Sequence, residues 1–261
     1  MSLLDDLGAP VDLPTPPRRV VSLVPSLTEA VALSAPGALV GATAWCTHPG
    51  DLDVPRFGGT KNPNVEGILA ARPDLVVANE EENKLEHVEA LRAAGVPVWV
   101  TDIRTVEGAF ISLERLLDVL AAPERAWLDQ ARANWAALPS PVVRRSALTP
   151  IWRRPWMVLG AETYAGDVLR RFGIDNGLAE AESRYPRVDL ADVVGEIDLV
   201  VLPDEPYAFT AEDGPEAFPG IECALVSGRH LTWYGPAMTQ APEILGRQLD
   251  APNQQTRGDH A

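Results

Sequence analysis

The chain has 261 residues, 46% of them apolar and 23% charged, which is enough apolar material for one large or two small packed domains and argues against wholesale disorder. The formal net charge is -15, so the surface repels phosphate backbones and anionic lipid, and neither nucleic-acid binding nor membrane insertion is expected. No run reaches the roughly 18 uninterrupted apolar residues of a membrane helix.

Residues 1–18, which hold all but the last residue of the proline-rich run PVDLPTPPRR, read as an extended lead-in. They lack the basic, apolar and cleavage-site regions of a secretory signal and carry no cysteine for a lipid, so a cytoplasmic location is expected. Val20 to Val24 is a β-branched strand that stops at Pro25. Ser26 is placed to cap the helix SLTEAVALS, with Glu29 completing a capping box. A second strand, ALVGAT, leads into the loop WCTHP and the glycine- and asparagine-rich stretch FGGTKNPN. Then come a short helix, VEGILAARP, a buried strand, DLVVAN, an amphipathic helix ended by Gly95, and the strand VPVWVTD. Such alternation predicts a parallel sheet with helices on its faces.

Val106 to Leu138 carries a helical pattern with no strand inside it. Pro123 either separates two helices or kinks one. The segment is either two helices packed on one domain or a long connector between two lobes. The second half then repeats the first. SALTPI and PWMVLG are strands around a tight WRRP connection, and TYAGDVLRRFG is a helix ended by Gly173. LADVVGEIDLVVLPDEP parallels VEGILAARPDLVVANEE, with Asp198 and Asp74 opening the matching strands. The expected fold is α/β: two Rossmann-like lobes with parallel central sheets, residues 19–104 and 140–250, joined by a long backbone helix within 105–139. A ligand cleft is expected between the lobes. Residues 251–261 read as a disordered tail.

Motifs of catalysis are scarce: there is no G-x-G-x-x-G, Walker loop, G-x-S-x-G or H-E-x-x-H. Cys46 and Cys223 form no disulfide framework, although a bridge between them stays open. Cys46 and His48 can supply two metal ligands, but a closed zinc site takes about four and no second pair exists. A Cys–His dyad needs the side chains to meet and a third group to orient the base. Contact with a ligand from a cleft-facing loop, or a plain buried cysteine beside a loop histidine, are the other readings. His87 and His260 read as surface residues; His230 is isolated.

The aromatic residues are more informative. Trp45, Trp152, Trp156 and Trp233, with Tyr164, Tyr185, Tyr207 and Tyr234, fall in loops or at strand ends, where rigid flat side chains suit a large planar ligand. Capping of the core is the alternative for each. Trp127 and Trp135 lie in the helical segment and read as packing. The run Asn79-Glu80-Glu81-Glu82-Asn83 reads as a solvated loop at a helix N-terminus, or as a site for a cation or basic partner.

Together, RVVSLVPSLTEAV, WCTHP, FGGTKNPNVEGILAARPDLVVANEEEN and RYPRVDLADVVGEIDLVVLPDEPYAF resemble the cobalamin- and siderophore-type substrate-binding proteins of ABC importers, the helical-backbone metal receptors. The resemblance runs from about Arg19 to Leu249. It implies a non-enzymatic protein that holds a metal chelate between its lobes, most readily a corrinoid, with haem or a ferric siderophore as alternatives. No cofactor of its own is implied. By position it implies that Pro25, Ser26, Trp45, Cys46, Thr47, His48 and Tyr185 line the cleft, with Trp152, Trp156, Trp233 and Tyr234 facing it. Tyr164 and Tyr207 join this set from the aromatic reading. Cys46 or His48 can approach the metal of the ligand.

Importer-coupled members present a surface glutamate from each lobe to the membrane subunits. The aligned positions, Leu85 and Ala191, are not acidic, although Glu86 and Asp192 are adjacent. Two other classes remain: an enzyme acting on such a ligand through Cys46 or His48, and a protein-interaction module with an empty cleft.

Overall fold

The computed structural model of the chain describes residues 3–13, 15–195 and 197–250. The expected tail at 251–261, with His260, lies outside the described residues. The chain divides into two compact units. One holds Met1–Ile103, Glu107–Arg132 and Tyr234–Pro236; the other holds Arg104–Val106, Ala133–Trp233 and Ala237–Ala261.

The first unit opens on a hairpin rather than an extended lead-in: β1 (Leu3–Leu4) pairs antiparallel with β2 (Pro10–Val11). The cause is local. The Asp5 carboxylate accepts from the backbone N–H of Leu7 (3.0 Å) and Ala9 (2.8 Å), and Gly8 supplies a positive φ. Arg92 pairs with the same carboxylate at 2.8 Å, and Ser112 and Arg115 bond Asp6, so the hairpin is anchored by charge.

Then follow β3 (Val20–Ser22), α1 (Pro25–Ser34), β4 (Leu39–Ala42), α2 (Val65–Ala70), β5 (Leu75–Asn79), α3 (Leu85–Ala93) and β6 (Val98–Thr101). The four strands β3 to β6 form one parallel sheet in the order β4-β3-β5-β6. Val21, Leu23, Ile68, Val76, Ala78, Val88, Leu91, Val98 and Val100 make one core beside it. Each large side chain there contributes about 1.5–3 kcal/mol through burial.

Ser26 does not cap α1. Pro25 takes the first helical position and Val24 the cap, with no side-chain capping bond; Ser26 and Glu29 are buried inside the helix instead. The proline fixes φ for a helical start and forces Val24 extended, which leaves no cap position for Ser26. The helical segment is two helices, α4 (Val106–Val119) and α5 (Ala126–Ala136), so Pro123 separates rather than kinks. Ala121 has φ of 46°, and the Arg125 guanidinium donates to the carbonyls of Leu117 (2.9 Å) and Ala122 (3.1 Å), closing the end of α4.

The second unit contains β7 (Arg145–Leu148), β8 (Pro150–Trp152), β9 (Met157–Val158), α6 (Tyr164–Arg171), β10 (Ile174–Asn176), α7 (Leu190–Val193), β11 (Leu199–Pro203), β12 (Glu222–Val226), α8 (Gly228–Thr232) and α9 (Ala241–Asp250). Its parallel sheet runs β10-β7-β11-β12, the order of the first sheet repeated strand for strand. The repeat extends to single bonds. Asp74, just before β5, accepts from the N–H of Arg18 (2.9 Å) and Arg19 (2.8 Å), while its own N–H donates to the Arg19 carbonyl at 2.9 Å. Asp198, just before β11, accepts from the N–H of Ser146 (2.8 Å) and donates to the Ser146 carbonyl at 2.9 Å.

The strand expected at SALTPI splits in two, and its second part pairs with the strand after WRRP. Arg145–Leu148 supplies β7 of the parallel sheet, whereas β8 and β9 form a separate antiparallel hairpin after it. Residues 184–188 run alongside β9: Val158 N–H donates to the Pro186 carbonyl (3.2 Å) and Gly160 N–H to the Arg184 carbonyl (2.7 Å). Gly160 has to be glycine, because a Cβ there would sit 2.0 Å from the Ser183 carbonyl.

Candidate functional site

In parallel α/β sheets the loops leaving the carboxyl ends of the strands carry ligand chemistry. In the first unit the loop after β4 is held by Arg56, whose guanidinium donates to the carbonyls of Cys46 (2.7 Å) and Leu52 (2.8 Å). The loop turns its residues in opposite directions. Trp45 points outward and is 67% exposed; Thr47 is exposed and His48 half-buried, with Thr47 Oγ1 3.1 Å from His48 Nδ1. Cys46 points inward and is 1% exposed, its Sγ 3.0 Å from Thr28 Oγ1 and 3.1 Å from Thr43 Oγ1. Cys46 is thus a core residue beside a loop histidine, one of the readings the sequence left open. A ligand-facing role for Cys46 and a Cys46–His48 dyad do not fit this geometry.

The loop after β5 is pinned rather than merely solvated. Asn79 and Asn83 are buried. The Asn79 Oδ1 accepts from Glu81 N–H (2.9 Å) and Glu82 N–H (3.2 Å), and the Asn83 amide donates to the Thr60 carbonyl at 2.9 Å. Burial pushes the Glu82 carboxyl above its ordinary range, against the opposing charge of Lys61. Pro25 is half-buried and Ser26 buried. Tyr234 is buried as well, and a Cβ on its neighbour Gly235 would lie 2.8 Å from the Ser26 carbonyl. Ser26 and Tyr234 therefore present no side chain to solvent in this unit.

In the second unit the hairpin β8–β9 and the loop after β11 meet in an aromatic cluster. Trp156 stacks on Phe209 at 6.1 Å with an interplanar angle of 2°, and meets Phe218 edge-on at 5.5 Å. Tyr207 lies 4.6 Å from Phe209, and Trp152 packs edge-on against Tyr207 at 5.7 Å. Trp152 stays 44% exposed. Arg153 lies over the Trp156 ring at 5.2 Å and is tied to Asp213 and Glu216. Tyr207 donates its hydroxyl to Asp213 at 2.5 Å, and that bond pushes its phenol above the ordinary value.

The remaining expected residues are dispersed. Tyr164 is buried at the start of α6, and burial raises its phenol strongly. Tyr185 is half-buried on the segment beside β9. Trp233 is half-buried under Arg229, 5.3 Å away. Cys223 is free and buried, its thiol pushed up to about 11.

The structure thus groups Trp45, Thr47 and His48 in one unit, and Trp152, Trp156 and Tyr207 in the other. Sequence reasoning missed Phe209, Phe218 and Arg153, which complete the second cluster. The tryptophans bracketing Arg153-Arg154 were the available signal. Among the described residues no three His, Cys, Asp or Glu side chains converge as a metal-ligand set, and no helix is long and apolar enough to cross a membrane.

Comparison with known proteins gives a consistent picture. The family model described as periplasmic binding protein matches residues 20–194. A vitamin B12-binding protein of Photorhabdus laumondii is 27% identical over 251 residues, covering 90% of this chain and 88% of the relative. Among solved structures, the periplasmic vitamin B12-binding protein of Vibrio cholerae superposes with a TM-score of 0.73 at 21% identity, over 91% of this chain and 98% of that one. The periplasmic haem-binding protein of Roseiflexus sp. RS-1 gives 0.75 at 22% identity, over 88% and 97%.

Proposed function

The chain belongs to the periplasmic binding protein family, and from that premise we propose that it binds a corrinoid of the vitamin B12 type without transforming it. The observation that carries this reading is the likeness to a vitamin B12-binding protein across 90% of the chain. The site chemistry agrees with it. Trp45, in the loop after β4, and Trp152, at the end of β8, are exposed aromatic side chains, a residue type that suits a large, rigid, largely apolar ring system. In this family the chelate is cargo, not a cofactor.

Of the two residues expected near the metal, His48 remains the candidate and Cys46 is withdrawn by its burial. Haem is the second reading, favoured by the structural likeness to a haem-binding protein. Handover to importer subunits would use acidic positions beside the expected ones: Glu86 on α3 and Asp192 on α7 are both exposed.

The test is titration of the purified protein with cobalamin, haem and a ferric siderophore, following heat and the visible spectrum. Saturable cobalamin binding without turnover is expected. A folded protein that binds none of the three would overturn the reading.

A further inference from the structure

The first unit holds a cavity of about 420 Å³ that none of the candidate-site residues lines. It is built from the N-terminal hairpin, β6 and α4, all within one compact unit. Its volume falls in the range of about 300–1,000 Å³ that small-molecule pockets occupy. Leu3 and Leu4 of β1, with Leu13, Pro16 and Val119, supply an apolar wall. Leu4 is 53% exposed, so apolar surface stays in contact with water there.

Two charged side chains also line the cavity, and both are committed. Arg115 pairs with Asp6, donates to the Leu4 carbonyl at 2.5 Å and lies 5.3 Å over the Trp99 ring. Asp118 pairs with Arg125 at 2.5 Å. Trp99 differs from both. It lines the cavity from β6, is 1% exposed, and its Nε1 has no hydrogen-bond partner among the described residues. A buried indole N–H ordinarily finds an acceptor, because leaving water without one is unfavourable.

We infer that this cavity binds a small uncharged molecule with an apolar body and one hydrogen-bond acceptor, which takes the Trp99 Nε1–H. The paired charges set the neutrality of the ligand: an ion entering here would lose water and meet no free counter-charge. The apolar wall sets its body, and the unmatched donor sets its acceptor. The site shares no residue with the chelate reading and does not depend on it.

Three probes of nearly one shape separate these features. Acetophenone is neutral and carries one carbonyl. In α-methylstyrene a methylene group replaces the carbonyl oxygen, and in benzoate an anionic oxygen replaces the methyl group. Each is titrated into the isotope-labelled full chain, following the Trp99 indole resonance and the backbone amides of β1 and α4. Salt is kept high enough to screen the net charge of -15. Acetophenone should shift the indole resonance saturably and bind about tenfold more tightly than benzoate. In Trp99→Phe the affinity of acetophenone relative to α-methylstyrene should fall about tenfold, the worth of one hydrogen bond. A merely structural role for Trp99 would weaken both probes alike. Leu4→Ala, at an exposed position, should weaken acetophenone and α-methylstyrene by about the same factor. Far-UV circular dichroism and the urea midpoint establish that each variant is folded. No saturable shift in the wild type, benzoate binding as tightly as acetophenone, or an unchanged ratio in folded Trp99→Phe overturns the inference. Should Trp99→Phe fail to fold, benzoate and Leu4→Ala decide: neutral probes that bind folded Leu4→Ala as tightly as wild type bind elsewhere, and that overturns it too.

Discussion

Asp198 and Ser146 exchange two hydrogen bonds between neighbouring strands: Ser146 N–H donates to the Asp198 carboxylate at 2.8 Å, and Asp198 N–H donates to the Ser146 carbonyl at 2.9 Å. Asp74 does the same with Arg19 in the first sheet and takes Arg18 as well. The carboxylates hold the amino ends of β11 and β5 in register with their central neighbours. Asp198→Ala should cost about 1 kcal/mol and Asp74→Ala about 2, since it takes two bonds rather than one. Urea unfolding of each variant measures this, and an unchanged midpoint in both would remove the role assigned to them.

Trp152 and Trp156 lie four residues apart in sequence and should behave oppositely. Trp156 is stacked on Phe209, edge-on to Phe218 and covered by Arg153, so Trp156→Ala should destabilise by about 3 kcal/mol or more. Trp152 is 44% exposed and touches Tyr207 by one edge. Trp152→Ala should cost about 1 kcal/mol in stability while weakening cobalamin binding. Comparing urea midpoints with titrations separates the two.

Both thiols are buried, so a thiol reagent such as Ellman's should find neither in the native protein and two after denaturation. Cys223 adds a pH dependence. Its folded value, about 11, exceeds the ordinary 9.0, chiefly through burial and then through Glu222 and Glu216. A raised folded value means its contribution is complete below the unfolded value and is lost as pH climbs from about 9 towards about 11. Cys223→Ala should flatten that part of the stability curve. An identical alkaline slope in the variant would contradict the assignment.

Glu82 and Glu205 give the corresponding effect at acid pH. Burial raises both, with Asp204 adding to Glu205 and Arg229 opposing it. Each contributes stability that is present below the unfolded carboxylate value and lost as pH rises through the folded one. The isosteric neutral variant Glu82→Gln should therefore raise the urea midpoint at pH 7 relative to wild type, with little difference at low pH. A lower midpoint at pH 7 would show that its charge is needed.

The alternating strands and helices were legible because β-branched runs and glycine stops are local: Gly95 and Gly173 follow α3 and α6, each with positive φ. The internal repeat was legible from Asp74 and Asp198, whose chemistry is the same in both sheets. The orientation of Cys46 was not, because alternation along a loop depends on what pins it, here Arg56 reaching from ten residues away. Ser26 misled for a different reason: serine is a strong cap, but a preceding proline claims the first helical position. Phe209 and Phe218 carried no pattern of their own, since they acquire meaning only once the hairpin folds over them.

Among the described residues, the hairpin from Pro150 to Val158 is an addition of the second unit to the strand plan of the first sheet, and it lies outside the parallel ladder. The aspartates that align the sheets sit at the amino ends, and the turn with Trp152, Arg153 and Arg154 follows a carboxyl end. The tip therefore stands apart from the bonds that set the register of either sheet. Substitutions in the turn between Pro150 and Val158 should therefore leave the pairing of both parallel sheets intact.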